Sequence, residues 1–183
     1  YVATSIVEDK NKIIVFIFND KNDTFELDAR LRLYSFDGSI LKDYSKREIV
    51  KPIYSKAIME LDRDKIIGNH DNRKIFLSCE LFRDRLSIAK NNYFFTRPKN
   101  FDLPDPDLKY LLKNKNGRLF INIEAKTFLA KVHINCINSI GVFSDNFFDM
   151  IPNEEREIEF FPKSKDFPAL QFSIRSLGDL IKK

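Results

Sequence analysis

Apolar and charged residues alternate strictly along several stretches of this chain, and this pattern predicts β-strands. In the segment 25–34, FELDARLRLY, acidic and basic residues separate five apolar ones: Phe25, Leu27, Ala29, Leu31 and Leu33. Side chains of a strand point alternately to opposite faces, so this segment predicts a strand with one face on a core. The same period recurs in segments 75–81, 118–125 and 170–174.

Other segments complete an all-β interpretation. Segment 12–19, KIIVFIFN, is apolar at both sets of alternating positions, which predicts a central strand covered on both faces. Clusters of Asn, Asp and Gly separate the strands at short intervals, as is typical of β-sandwiches. Segment 61–68, LDRDKIIG, predicts a short helical turn, and no segment predicts a long amphipathic helix.

A proline-rich stretch predicts a boundary between two domains. Pro98, Pro104 and Pro106 lie in segment 97–107, and proline cannot donate to a sheet ladder and favours an extended, stiff connector. We therefore expect an immunoglobulin-like sandwich over residues 1–98, a linker over 99–107 and a smaller C-terminal sandwich over 108–183. The predicted fold class is all-β, with two tandem immunoglobulin-like antiparallel β-sandwiches.

Composition excludes several function classes. The 31 basic and 27 acidic residues are interspersed, with no basic block such as a nucleic-acid binder carries. Glycine is scarce, at 5 of 183 residues, and no phosphate-binding motif occurs. No apolar run is long enough to predict a membrane span. Cys79 and Cys136 lie in alternating runs of different domains, so we expect both to be buried and reduced, with a disulfide between them as the alternative.

The residues also offer no catalytic or metal-binding constellation. Glu157 and Glu159 share the polar face of a strand whose other face carries Ile158 and Phe160, an arrangement typical of a solvated strand face. Neither His70 nor His133 has an acid or a cysteine at metal-ligand spacing. We therefore expect no catalytic residue, no metal and no cofactor in this chain.

Exposed aromatic rings could instead stack on sugars. Tyr93 and Phe94 lie in one aromatic cluster, NNYFFT, and Phe147 and Phe148 lie in another, FSDNFFD. Aromatic side chains offer an apolar plane for such contacts, which makes these four residues the candidate carbohydrate contacts. Adjacent residues of a strand point to opposite faces, so at least one ring of each cluster is expected in a core, and packing at a domain interface is the alternative for the rest.

The second cluster opens an unusual stretch, residues 143–160, FSDNFFDMIPNEEREIEF. Asp145 and Asn146 predict a turn that Phe147 or Phe148 anchors in the core. Pro152 and the following Asn153 predict a second turn, in which Asn tolerates a positive φ. These residues therefore have structural roles in our interpretation.

The same stretch resembles a motif, "sDNyFDLlPGe" followed by a strand, in the C-terminal sandwich of β-mannosidases of glycoside hydrolase family 2. Segment 91–108, NNYFFTRPKNFDLPDPDL, resembles the join between the last two sandwiches of those enzymes, and IRSLGDL near the C-terminus resembles their final strand. The resemblance implies that Asp145, Asn146, Asp149 and Pro152 form a structural motif. Phe147 replaces the usual Tyr and Asn153 replaces the usual Gly of the turn.

The resemblance implies a function for the parent protein rather than for this chain. Members of that family are retaining exo-glycosidases that release terminal β-D-mannose without a metal, and their catalytic glutamates lie on a barrel for which no segment here is suited. The expected role is thus an accessory portion whose partner is its own catalytic barrel and, as a further expected contact, a mannose-containing glycan. Nucleic acid and a membrane span are not expected.

The remaining expectations concern context and alternatives. The chain starts at Tyr1 without a signal peptide, and we expect it to be a piece of a longer protein. The resemblance implies a secreted, periplasmic or lysosomal location. A free-standing carbohydrate-binding module or a protein-interaction sandwich is the alternative function.

Overall fold

A computed structural model of the chain describes residues 1–163 and 169–181. The described residues confirm the all-β prediction, with antiparallel sheets and only short helical segments. They form two compact units, one of Tyr1–Ser35 with Ser39–Asp102 and one of Phe36–Gly38 with the described residues from Leu103 onward. The predicted end of the second domain, at residue 183, lies outside the described residues. No helix in the described ranges is long and apolar enough to cross a membrane.

Within residues 1–102, all of them described, seven strands form two sheets. The strands are β1 (Val2–Asp9), β2 (Lys12–Asn19), β3 (Phe25–Ser35), β4 (Ile40–Val50), β5 (Tyr54–Asp62), β6 (Ile75–Arg83) and β7 (Leu86–Phe94). One sheet has the order β1-β2-β5 and the other has the order β4-β3-β6-β7. The predicted helical turn is confirmed as helix α1 (Arg63–Ile67), which begins where the Asp62 side chain accepts a hydrogen bond from the Lys65 N–H at 2.8 Å.

The core of the first unit lies between its two sheets. The alternating apolar residues predicted for β3 are buried, with at most 7% of any of them exposed. Ile75, Leu77, Cys79 and Leu81 of β6 are also buried and join the same cluster, which includes Ile13, Val15 and Ile17 of β2. Burial of these side chains is the main favourable term for folding of this unit.

Strand β2 differs in one respect from its prediction. It is the central strand of its sheet, as expected, but its second face is not fully covered, since Ile14, Phe16 and Phe18 are partly exposed. The rings of Phe16 and Phe18 lie 6.3 Å apart on that face and stack on each other. The apolar outer face of β2 is therefore shielded from solvent in part by the stacking of its own phenylalanine rings.

The segment predicted as a linker begins with a turn instead of an extended chain. Pro98–Asn100 form a 3₁₀ helix, for which the fixed φ of proline at the first position is well suited. Phe101 and Leu103 then bury their side chains, with 6% and 7% exposed. The proline-rich segment is therefore an ordered connection, because two of its apolar side chains are buried.

Seven further strands are seen in the described part of the second unit. They are β8 (Leu108–Lys115), β9 (Arg118–Ala125), β10 (Leu129–Cys136), β11 (Gly141–Phe143), β12 (Phe148–Met150), β13 (Glu155–Pro162) and β14 (Phe172–Arg175), and helix α2 (Gly178–Ile181) follows. The sheets have the orders β11-β13-β9-β8 and β12-β10-β14. Their inner faces share one core, and the predicted inward positions of β13, Ile158 and Phe160, are confirmed at 1% and 2% exposed.

Candidate functional site

Asn146 organises the loop between β11 and β12, where the unusual sequence stretch begins. Its side-chain Oδ1 accepts the N–H of Ile134 at 2.8 Å, and its Nδ2 donates to the carbonyl oxygen of Ile134 at 2.9 Å. The same Oδ1 accepts the N–H of Phe147 at 3.1 Å. An asparagine side chain carries both a donor and an acceptor, so it pairs with β10 as a strand backbone would.

Two aspartates fix the ends of this loop. Asp145 accepts a hydrogen bond from the Arg156 guanidinium at 2.8 Å, and Arg156 also lies 4.2 Å from the centre of the Phe148 ring. Asp149 accepts the N–H of Lys131 at 3.0 Å. Lys131 has a φ of 53° at an irregularity in the pairing of β10 with β12, so Asp149 satisfies a backbone donor that the ladder leaves free.

The predicted turn at Pro152 is present. The N–H of Glu154 donates to the carbonyl oxygen of Ile151 at 3.2 Å, and Asn153 has a φ of 62°. This positive φ is the conformation that the third residue of such a turn requires and that asparagine tolerates. Pro152 itself is buried.

The two aromatic residues of the loop have opposite environments. Phe148 is 8% exposed and belongs to the core, whereas Phe147 is 62% exposed. The Phe147 ring stacks on the His133 ring, with centroids 4.7 Å apart and an interplanar angle of 20°. Phe147 also has a φ of 59°, a left-handed conformation that is unusual for a residue with a bulky side chain.

The other aromatic candidates lie in the first unit and are partly buried. The Phe94 ring packs against those of Phe76 and Phe101, with centroids 5.8 Å and 5.0 Å away. The Tyr93 hydroxyl donates a hydrogen bond to Glu8, and its ring meets the Phe95 ring edge-on at 5.3 Å. Burial, followed by the hydrogen bond to Glu8, raises the pKa of Tyr93 above its ordinary value. Both rings are therefore packed against other side chains of the first unit and are only partly exposed.

The carboxylates of β13 are engaged in ion pairs. Lys115 lies 2.6 Å from the Glu157 carboxylate, and Arg118 donates to both oxygens of Glu159. Glu157 is exposed, as expected for a strand face in solvent, but only 11% of the Glu159 side chain is exposed. A carboxylate held by both nitrogens of a guanidinium is fixed in place as part of the strand surface.

The described carboxylates with a shifted pKa are all shifted downward. In each case a hydrogen bond from a neighbouring basic side chain is the largest cause of the lowered pKa, and for Asp71 the pKa is about 2. The pairs are Asp28 with Arg47, Asp43 with Arg30, Asp71 with Arg73, and Glu124 with Lys126. A general acid needs a pKa raised toward neutrality, so these four groups are unsuited to that task.

The histidines and cysteines add no metal site to the part of the chain that is described. His70 and His133 are both exposed, and no group of three or more His, Cys, Asp or Glu residues there could hold a metal ion. Cys79 and Cys136 are buried and free, as predicted. Sequence reasoning missed the stacking of His133 on Phe147, because that contact depends on the backbone conformation of the loop.

Both halves of the chain match families of known domains. Residues 11–100 match a family model described as a mannosidase Ig/CBM-like domain, and residues 103–180 match a mannosidase model described as an Ig-fold domain. Among curated protein sequences, none matches the chain significantly.

Solved structures share the fold at low sequence identity. A β-D-mannosidase from Dictyoglomus thermophilum has a TM-score of 0.75 and 19% identity, over 96% of this chain and 22% of that one. The exo-chitosanase CsxA from Amycolatopsis orientalis has a TM-score of 0.64 and 12% identity, over 93% of this chain and 25% of that one. The chain thus spans about a quarter or less of the length of these proteins.

Proposed function

The chain belongs to the mannosidase Ig/CBM-like and mannosidase Ig-fold domain families, and from this we propose that it is the non-catalytic C-terminal accessory portion of a β-mannosidase. The observation that carries the proposal is that the two family models follow one another along the chain and together span residues 11–100 and 103–180. The family models establish that the chain consists of immunoglobulin-like domains of the kind found in glycoside hydrolases. The β-mannosidase activity of the parent protein is our proposal.

The chemistry of the described residues supports an accessory role. Retaining glycosidases use two carboxyl groups about 5–5.5 Å apart, of which one is an acid with a raised pKa. The glutamates of β13 are paired with Lys115 and Arg118, and the carboxylates elsewhere that have a shifted pKa have it lowered. We propose that the two sandwiches support a catalytic barrel in the same polypeptide and that the parent is secreted, periplasmic or lysosomal.

Two experiments test this function. The purified chain is expected to release no nitrophenol from 4-nitrophenyl β-D-mannopyranoside, and turnover that survives repurification would overturn the non-catalytic assignment. The gene upstream of Tyr1 is expected to encode a barrel with two facing glutamates. A start codon and signal peptide directly before Tyr1 would instead make the chain a free-standing sandwich protein.

The supporting role has its own test in the parent enzyme. Deletion of residues 1–183 is expected to lower the melting temperature of the barrel and its activity on β-mannosides, because apolar surface of the barrel loses its cover. An unchanged melting temperature and activity in the truncated enzyme would refute the supporting role.

A further inference from the structure

Phe147 presents an aromatic ring to solvent from a fixed position. One face of the ring lies on His133, and with 62% of the residue exposed the other face is open. The Asn146 side chain, next to Phe147 in the chain, makes three hydrogen bonds, two to β10 and one to the Phe147 N–H. These bonds fix the backbone that carries the ring, and the stacking on His133 orients the ring itself.

The backbone conformation argues that the outward position of the ring is imposed. The left-handed backbone conformation costs a residue with a Cβ about 1–2 kcal/mol of free energy, whereas glycine adopts it without this cost. Phe147 occupies this region at a φ of 59°, while its neighbour Phe148 fills the core. Strain of this kind at an exposed residue points toward a functional surface.

The outer face of the sheet β12-β10-β14, on which the ring stacks, carries polar side chains. His133 pairs across the strands with Arg175, and Asn135 pairs with Ser173. Directly opposed residues of an antiparallel pair share a face, so these four side chains lie together on the face that carries the Phe147 ring. Imidazole, guanidinium, amide and hydroxyl groups supply both donors and acceptors there.

We propose that this surface, the Phe147 face, binds a pyranose ring of a neutral glycan. The apolar face of the sugar stacks on the open face of Phe147, and its hydroxyl groups exchange hydrogen bonds with His133, Arg175 and Asn135. An open aromatic plane with a polar rim matches the amphipathic character of a sugar ring. A stable protein interface instead needs about 800 Å² on each partner with an apolar centre, which one ring among polar side chains does not offer.

The test is a titration of the isotope-labelled chain with oligosaccharides, followed by NMR of the backbone amides. The probes are β-1,4-mannotriose, cellotriose and chitotriose, each to about 20 mM, a concentration that saturates a site with a dissociation constant of about 1 mM. We expect saturable shifts of amides in segments 131–135, 146–149 and 173–175 with at least one probe. No saturable shift with any of the three would overturn the proposal.

Matched variants locate the site. Phe147→Ala is expected to weaken binding at least tenfold, whereas Phe161→Ala, which removes another exposed ring of the same unit, is expected to leave it unchanged. Phe147→Trp restores an aromatic plane and should retain binding. Equal binding by wild type and Phe147→Ala would overturn the proposal, as would amide shifts of this face that depend on protein concentration alone and so indicate a second copy.

Phe147→Gly controls for folding. It removes the ring and relieves the strain, so it is expected to abolish binding without lowering the thermal stability of the chain. The proposal does not depend on the parent being a β-mannosidase. A failed titration would leave the upstream-gene and deletion tests of the proposed function untouched.

Discussion

Replacing Phe160 by alanine tests the strand register of the second unit. Phe160 is 2% exposed and packs against Phe143 and Phe172, with ring centroids 4.9 Å and 5.4 Å away. Its neighbour on β13, Phe161, points to the other face and is 47% exposed. The same substitution at these two adjacent positions therefore removes the same atoms from a core and from a surface.

The expected loss follows from the area that the ring buries. An aromatic side chain buries about 150–250 Å², which at about 25 cal/mol per Å² corresponds to about 4–6 kcal/mol. Alanine keeps the Cβ and the neighbouring rings relax in part, so Phe160→Ala is expected to cost about 3–5 kcal/mol. Phe161→Ala is expected to cost less than about 1 kcal/mol, because its ring already contacts water.

Urea unfolding followed by circular dichroism measures both variants, since the chain has no tryptophan for fluorescence. With a slope of about 2 kcal/mol per M, Phe160→Ala should lower the midpoint of one transition by about 1.5–2.5 M. Leu31→Ala, in the core of the first unit, identifies the transition of that unit by contrast. Equal losses at 160 and 161, or a larger loss at 161, would refute the register, because a slip by one residue exchanges the two faces.

Three further changes probe the loop, a buried thiol and a surface ion pair. Asn146→Ala removes both hydrogen bonds to Ile134 and should cost about 1–3 kcal/mol in the same urea assay; a loss below about 0.5 kcal/mol would contradict its role. Burial raises the pKa of Cys79 to about 11, so a disulfide reagent at pH 8 should label it only after unfolding, and rapid labelling of the native chain would contradict this. Arg73 lowers the pKa of Asp71 to about 2, so the contribution of this pair to folding stability is present above the unfolded pKa of 3.8 and is lost as the pH falls toward 2. A carboxyl NMR titration with a midpoint near 3.8 would refute the pairing.

Strands with strict alternation were predictable because their pattern has one physical solution. Charged residues at every second position of β3 cannot enter a core, so the intervening residues must face it. The pattern of β2 is less informative, since apolar residues on both sides are compatible with full cover or with rings that shield one another. The rings of Phe16 and Phe18 stack on each other. Whether other residues also cover that face depends on the rest of the chain, which the pattern of β2 alone does not reveal.

The loop at 144–149 could be predicted only in part. The pattern correctly indicates one inward phenylalanine, but residues 145 and 146 lie in an irregular segment between bends at 144 and 147 instead of the predicted turn. It does not indicate which phenylalanine is inward, because alternation holds along extended chain and Phe147 is in a left-handed conformation. Nor does it identify Ile134 as the partner of Asn146, since that residue lies 12 positions earlier, on strand β10.

The same loop explains how a strained residue persists in this fold. The left-handed conformation of Phe147 costs about 1–2 kcal/mol, and a hydrogen bond contributes about 1 kcal/mol, so the three bonds of the Asn146 side chain are sufficient to offset it. Phe148, the next residue, buries its ring in the core beneath Arg156, so the two phenylalanines have opposite environments. The core and the hydrogen bonds of the loop therefore stabilise the fold, and the exposed ring is the part of the loop left available for binding.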